Sequence, residues 1–141
     1  MTTPQTEIVK RLLQTVWSEG RIDDSDGLIA DHYTIRHDPG DPWEGKTLDL
    51  AGYKDRVRMS RAPFPDQKFE IVDLAQGEGI VAVTWTWSGT HRGDLPGLPA
   101  TGKVIHMSGA TVYYFSGERI TGHWQIADRL SVYRQIRGAH S

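Results

Sequence analysis

Residues 80–91, with the sequence IVAVTWTWSGTH, decide the fold class of this chain. Apolar side chains alternate with small polar ones, so Val81, Val83, Trp85 and Trp87 share one face of an extended segment. Alternation over this length predicts a half-buried β-strand with a large apolar face. A lone strand cannot bury such a face, so the flanking sequence must supply partner strands and covering helices.

The alternating pattern extends through the C-terminal half of the chain. Ser116 and Gly117 form a turn signal, and beyond it Ile120, Trp124 and Leu130 share one face. Successive short strands separated by glycine-rich turns are typical of an antiparallel meander. The predicted strands span residues 69–74, 80–91, 103–115 and 119–133.

The N-terminal half has helical periodicity instead. A first helix is predicted to begin after an N-cap at Thr3, with proline at its first position, and to end at Gly20. A second, short helix is predicted over residues 26–33. A third is predicted to follow a cap at Thr47 and to stop at Pro63.

Helices followed by a meander predict an α+β fold, in which a curved antiparallel sheet packs on N-terminal helices. With 141 residues, the chain is expected to form one domain over residues 1–141. A cone-shaped sheet of this kind leaves a cavity at its wide end, where a small hydrophobic or aromatic molecule is expected to bind. Bulky residues on the other sheet face predict a homodimer or higher homo-oligomer.

Composition narrows the classes of function. A net charge of −2 without a basic cluster argues against a nucleic-acid partner. No apolar run approaches the roughly 20 residues that span a bilayer, and the N-terminal segment has no signal-peptide pattern, so a cytoplasmic protein without membrane contact is expected. The chain has no cysteine, and its six histidines show no metal-binding spacing, so neither a metal nor another cofactor is expected.

Three segments resemble one known family in order along the chain: APFPD at residues 62–66, GTHRGDLPGLPATGK at residues 89–103, and GERITGHWQIADRL at residues 117–130. Together, the GTHRG, PATG and HW-x3-D elements are similar to those of the SnoaL-like polyketide cyclases of the NTF2-like superfamily. The resemblance implies a conical α+β barrel, usually oligomeric, that uses acid–base chemistry without metal or cofactor. In the best-known members the reaction is an intramolecular aldol cyclisation of a polyketide ester.

Asp128 is the leading catalytic candidate. It has the parity of Ile126 and Leu130, which would point its carboxylate into an apolar face. Desolvation there would raise its pKa and suit it to remove a proton α to a carbonyl; the alternative is a structural aspartate at the strand end. Alternation places Trp124 inside and the catalytic candidate His123 outside, unless a strand bulge reverses them.

Two further histidines are catalytic candidates with structural alternatives. His91 would donate to a ligand at the cavity mouth or pin the loop that follows it, and His106 would contribute to the site or to an interface. His37 and Asp38 lie in a Gly/Pro-rich loop that could reach the cavity mouth. The predicted substrate-binding residues are Trp17, Tyr33, His37, Trp43, Phe64, Trp85, Trp87, Ser108, Tyr113 and Trp124.

One departure from the family concerns Gly122, which stands beside the HW pair where the cyclases are expected to carry an acidic residue. If that position is the family's acid–base group, then Asp128 or a histidine must replace it. Three hypotheses follow: a cyclase-like lyase or isomerase that transfers a proton, a binding protein without turnover, and a hydrolase that acts, for example, on an epoxide.

Overall fold

The computed structural model describes residues 3–138. Six strands form one curved sheet in the order β2-β1-β6-β5-β4-β3, with β1 and β6 parallel and all other neighbours antiparallel. The strands are β1 (Ile29–His37), β2 (Thr47–Asp49), β3 (Lys68–Gly77), β4 (Ile80–Thr90), β5 (Val104–Ser116) and β6 (Arg119–Ala127). The α+β fold predicted from the sequence is confirmed, including all four strands of the meander.

The helices cover one face of this sheet. They are α1 (Pro4–Arg11), which continues as a π-helical segment (Leu12–Ser18), a 3-10 helix (Ile22–Gly27), α2 (Leu50–Arg61) and α3 (Arg129–Arg137). The hydroxyl of Thr3 caps α1 by accepting from the backbone N–H of Thr6 at 3.0 Å, as predicted. No helix within residues 3–138 is long and apolar enough to cross a bilayer.

The predicted second helix is wrong. Residues 29–37 form β1, which lies between β2 and β6 in the sheet. The buried residues Ile29, Tyr33 and Ile35 keep the period of two along the strand, but Asp31, which would share their face, is exposed. The resulting four-residue spacing of Ile29 and Tyr33 fits one turn of a helix as well as two periods of a strand, which explains the helical prediction.

The third helix begins later than predicted. Residues 47–49 form β2, which pairs with β1, and Asp49 caps α2 by accepting from the backbone N–H of Gly52 at 2.7 Å. The buried residues of α2 are Tyr53, Arg56 and Val57. An arginine on the inward face of a helix requires buried partners, and it bears directly on the site described below.

The last predicted strand is too long. It ends at Ala127, and Asp128 caps α3, accepting from the backbone N–H of Ser131 at 3.2 Å. Gly138 ends α3 in the left-handed conformation that glycine adopts without strain. The helix packs against β5, where the side-chain amide of Gln135 bonds the backbone of His106 in both directions, at 2.8 and 2.6 Å.

The outer face of the sheet carries exposed apolar side chains, among them Val72, Trp124 and Ile126. These residues face away from the buried core. Apolar surface of this kind is typical of protein interfaces. The homo-oligomer expected from the sequence remains a prediction, and this face is the one that it concerns.

Candidate active site

A cavity of about 430 Å³ lies between the inner face of the sheet, α2, the π-helical segment, α3 and the loop after β4. Its size falls within the range of small-molecule sites. Leu95 and Pro96 contribute to its wall from that loop. The predicted site residues on the cavity wall are Trp17, Tyr33, Trp43, Phe64, Trp85, Trp87, Tyr113 and His123.

Three of the cavity tryptophans have their polar atoms engaged within the protein. Each indole N–H is paired, which leaves the apolar ring surfaces for a ligand. The acceptors are Tyr53 Oη for Trp17 (3.0 Å), Thr111 Oγ1 for Trp85 (2.9 Å) and Gln67 Oε1 for Trp87 (3.2 Å). Most of this wall can therefore select a ligand only by its shape. Hydrogen bonds to a ligand must come from a few other groups.

A fully buried carboxylate, Asp38, organises the polar end of the cavity. It follows β1 directly and is 0% exposed. Its oxygens accept from Arg129 Nη1 at 2.6 Å, His123 Nε2 at 2.8 Å, Gln125 Nε2 at 3.1 Å and Arg56 Nη2 at 3.2 Å. All four donors belong to residues that line the cavity. Asp38 itself does not line it and influences the cavity through these four side chains.

The charges around Asp38 are balanced. Arg56 Nη2 also contacts Asp41 at 2.9 Å, and Arg129 lies 3.6 Å from the same carboxylate. Burial alone would raise the pKa of Asp38, but the hydrogen bond from His123 and the charge of Arg129 outweigh it and lower the pKa to about 2. Asp38 is therefore ionised at neutral pH and can only accept hydrogen bonds.

His123 connects Asp38 to the cavity. Burial lowers the pKa of His123, although the hydrogen bond to Asp38 opposes this effect, so the imidazole is neutral at neutral pH. Because Asp38 can only accept, Nε2 carries the ring proton and Nδ1 accepts from the hydroxyl of Tyr33. Burial raises the pKa of Tyr33 well above its ordinary value and keeps the phenol protonated. Asp38, His123 and Tyr33 thus form one directional hydrogen-bonded relay.

A second chain of hydrogen bonds fixes Gln125. Trp85 donates to Thr111, and the Thr111 hydroxyl donates to Gln125 Oε1 at 2.6 Å. The amide of Gln125 is thereby oriented with its NH₂ group toward Asp38. The inner tryptophan layer and the buried carboxylate are parts of one network.

The sequence profile of the SnoaL-like polyketide cyclases matches residues 7–136. The chain belongs to the SnoaL-like polyketide cyclase family. No curated protein matches it. Among solved structures, a candidate polyketide cyclase from Acidithiobacillus ferrooxidans is 57% identical, with 99% of this chain and 98% of that chain covered and a TM-score of 0.94.

More distant structures share the SnoaL-like fold. IdmH from Streptomyces antibioticus, also a candidate polyketide cyclase, is 25% identical, covers 98% of this chain and 100% of its own, and has a TM-score of 0.80. A SnoaL-like protein from Jannaschia sp. CCS1 is 16% identical, with 96% and 93% covered and a TM-score of 0.81, and its similarity shows the fold alone.

In this SnoaL-like chain, the predicted orientations of His123 and Trp124 are wrong. His123 is buried on the cavity wall, whereas Trp124 is 42% exposed and stacks on His37, with ring centroids 4.4 Å apart. The pairing of β6 with β5 skips Thr121, so residues beyond this bulge have the opposite parity. His37 and Trp124 are both absent from the cavity wall.

The same bulge moves Asp128 out of the cavity. Asp128 is exposed, caps α3 and lines a shallow depression on the outer face together with Ser108 and His106. Its predicted inward orientation is wrong. His91 is buried beneath the loop after β4, with Nδ1 3.1 Å from Thr101 Oγ1 and its ring against Phe64, so it packs the base of that loop.

Arg56, Arg129 and Gln125 are site residues that the sequence pattern does not predict, and for Asp38 it predicts only a position at the cavity mouth. A usable signal existed for Arg56, which has the helical spacing of Tyr53 on the inward face of α2. Within residues 3–138, no group of three or more His, Asp or Glu side chains is arranged to hold a metal ion. The ion pairs and hydrogen bonds to Asp38 make up the polar end of the cavity.

Burial of neutral His123 predicts acid lability that begins below its ordinary pKa of 6.5. The unfolded chain binds a proton at residue 123 before the folded protein does, so this contribution is complete above pH 6.5 and is lost as pH falls through the lower folded pKa. Asp38 adds a second loss as pH falls from 3.8 toward about 2. We expect the melting temperature to decrease from about pH 6.5 downward.

Thermal unfolding of wild type, His123→Gln and His106→Gln across this pH range checks the prediction. His123→Gln should have a lower melting temperature at neutral pH and a flatter profile below pH 6.5, because it has no ring to protonate. The exposed His106 provides the matched control, and its variant should follow the wild-type profile. Parallel profiles for all three proteins would contradict the role given to His123.

Proposed function

We propose that this SnoaL-like protein is an enzyme that moves a proton on a small aromatic carbonyl compound, as an intramolecular aldol cyclisation requires. One observation carries the proposal: the relay of Asp38, His123 and Tyr33 runs from an ionised, fully buried carboxylate to the cavity wall. A histidine oriented by a carboxylate is a common general base. The polyketide cyclase family and the 57% identical candidate cyclase support the same class.

The proton transfers can be written from the hydrogen bonds. As the α C–H bond of the substrate breaks, its proton moves to Tyr33 Oη while the original phenol proton moves to His123 Nδ1. No phenolate accumulates, and the imidazolium forms beside the Asp38 carboxylate. The carbanion carbon then bonds to a second carbonyl carbon of the same molecule. The resulting alkoxide takes a proton from Tyr33, which regains its own from His123, so no net proton is consumed.

The environment favours this transfer in two ways. The imidazolium has an ionised partner at 2.8 Å, and burial strengthens their attraction. The aromatic walls exclude water and suit a flat, largely apolar molecule. The substrate class proposed is therefore a small polyketide-like aromatic compound with an enolisable carbonyl that reaches Tyr33.

Binding without turnover is the second candidate, and one observation favours it. Both ring nitrogens of His123 are already hydrogen-bonded, so the imidazole offers no free base to a ligand. In that case the relay would fix the shape of the cavity. The hydrolase hypothesis lacks a comparable observation, because the oxygens of the buried Asp38 accept from four side chains.

Deuterium exchange into 2-tetralone, a flat bicyclic ketone with an enolisable C–H, tests the proposal without knowledge of the natural substrate. Proton NMR in D₂O should show exchange faster with wild-type protein than in buffer. Tyr33→Phe removes the relay hydroxyl and should reduce the catalysed rate by about 10²-fold or more. Tyr114→Phe removes a phenol hydroxyl outside the cavity wall and should leave the rate within about twofold.

The outcomes separate the two candidates. Wild-type exchange at the buffer rate together with saturable binding of 2-tetralone favours the binding protein. An unchanged rate in Tyr33→Phe would remove Tyr33 from the mechanism. Titration of tryptophan fluorescence with the ketone supplies the binding measurement, since several indoles line the cavity.

A further inference from the structure

Three tyrosines lie at the polar end of the cavity, and their hydroxyl groups differ in their hydrogen-bond partners. Tyr33, Tyr53 and Tyr113 are 1%, 1% and 5% exposed, and the rings of Tyr33 and Tyr53 lie 4.7 Å apart. Burial raises the pKa of all three, and the pKa of Tyr33 is raised further by Tyr53 and Tyr113. All three are therefore neutral phenols at neutral pH, each with one proton to donate.

The hydrogen bonds distinguish these phenols. The Tyr33 hydroxyl donates a hydrogen bond to His123 Nδ1. Tyr53 Oη accepts from the indole N–H of Trp17 at 3.0 Å. The Tyr53 hydroxyl donates to no acceptor among residues 3–138. Within the same range Tyr113 has no hydrogen-bond partner for its hydroxyl, although its ring lies 6.3 Å from that of His123. Two buried O–H groups on the cavity wall thus remain available to a ligand.

Arg56 adds a positive charge at the same place. It lies one helical turn after Tyr53 on α2, is 4% exposed and lines the cavity. Its Nη2 contacts Asp38 and Asp41, but its buried Nε has no hydrogen-bond partner among the described residues. Buried polar groups in native proteins are nearly always paired, and an unpaired buried N–H is destabilising. An acceptor on a bound ligand would pair with the hydroxyls of Tyr53 and Tyr113, and the charge of Arg56, which acts on both phenols, would favour a negatively charged acceptor; the buried Nε itself stays unpaired.

We infer that Tyr53, Tyr113 and Arg56 form a subsite for the negatively charged oxygen of a planar enol or phenol. The inference deepens the proposed function and rests on it in one respect: the enolate oxygen formed when Tyr33 takes its proton would occupy this subsite. Donors already in place where charge develops stabilise it without further reorganisation. The phenol of Tyr53 is suited to this role because the N–H of Trp17 polarises its oxygen.

The surrounding charges favour a delocalised monoanion over a compact dianion. Arg56 shares its charge with Asp38 and Asp41, and the carboxylate of Asp41 also lies on the cavity wall. A phosphate group would be repelled there. A conjugated oxyanion spreads its charge into a ring that packs on the aromatic walls.

Binding of 4-nitro-1-naphthol tests the subsite directly, because its absorbance reports ionisation and its methyl ether is a neutral analogue of similar shape. Wild-type protein should bind the naphtholate at least about tenfold more tightly than the ether and lower the pKa of the bound naphthol by about one unit or more. Tyr53→Phe and Tyr113→Phe should each weaken binding of the anion about tenfold and change binding of the ether less than about twofold.

Tyr114→Phe, which removes a phenol hydroxyl outside the cavity wall, should bind both probes as wild type does. Tyr33→Phe should retain the preference for the anion even though it loses proton exchange, so failure of the catalytic proposal and failure of the subsite are distinguishable. Equal affinity of wild type for the two probes, or no detectable binding of the anion, would overturn the inference. So would wild-type anion affinity in both Tyr53→Phe and Tyr113→Phe, and either variant suffices if the other does not fold.

Discussion

Asp38→Asn is expected to reduce both proton exchange and stability more than any other single substitution at the site. The neutral amide cannot balance the charges of Arg56 and Arg129, and leaving a buried charge uncompensated typically costs about 3–5 kcal/mol. The NH₂ group of this amide can also donate to His123 Nε2, which favours the tautomer with the ring proton on Nδ1. Nδ1 could then no longer accept the hydrogen bond from the Tyr33 hydroxyl. Catalysed exchange should fall about 10²- to 10⁴-fold.

Urea denaturation and 2-tetralone exchange measure the two effects separately. Asp66→Asn is the matched control, because Asp66 also accepts two hydrogen bonds, from the backbone N–H and hydroxyl of Thr90, but lies outside the cavity wall. It should lose a smaller amount of stability and retain wild-type exchange. Reduced stability with a wild-type exchange rate in Asp38→Asn would mean that Asp38 only supports the fold.

Gly122→Ala is expected to destabilise the protein by about 3 kcal/mol, at the upper end of the usual range for overpacking. Gly122 of β6 pairs with Thr34 of β1, and a Cβ at residue 122 would overlap the carbonyl oxygen of Thr34. This oxygen belongs to the backbone of a strand that is paired on both sides, so it cannot move aside as a flexible side chain would. Gly122→Glu should fail to fold for the same reason.

Urea denaturation of Gly122→Ala beside Gly27→Ala provides the comparison. A Cβ at Gly27 meets nothing within 4 Å, so that variant should lie within about 0.5 kcal/mol of wild type. Equal stability of the two variants would contradict this prediction, because it would mean that the backbone of β1 shifts at little cost to accommodate a Cβ at residue 122. The pairing of β6 with β1 thus leaves no room for a carboxylate side chain at residue 122.

Local patterns were sufficient to predict much of the fold. The cap at Thr3 and the alternation in residues 80–91 are properties of neighbouring residues, and both predictions were confirmed. The aromatic character of the cavity was also accessible, because Trp85 and Trp87 share the face that the meander must bury. The site itself was harder to predict, because the polarity of a cavity depends on which distant side chains meet in it.

Two local patterns were misleading for physical reasons. Ile29 and Tyr33 are four residues apart, a spacing that fits a helix and a strand alike, and the charged Asp31 interrupts the alternation between them. The bulge at Thr121 reversed the parity on which the inward placement of Trp124 depended. A bulge arises from pairing with a neighbouring strand, so the sequence of one strand contains little direct sign of it.

The sequence by itself determined the α+β class, the meander and the resemblance to the SnoaL-like cyclases, because periodicity and turn chemistry act over short distances. Only the tertiary structure decided which groups form the candidate site. Asp38 meets residues 18, 85 and 91 positions away, in Arg56, His123 and Arg129. Burial then sets their protonation states, since desolvation and paired charge exist only in the folded chain.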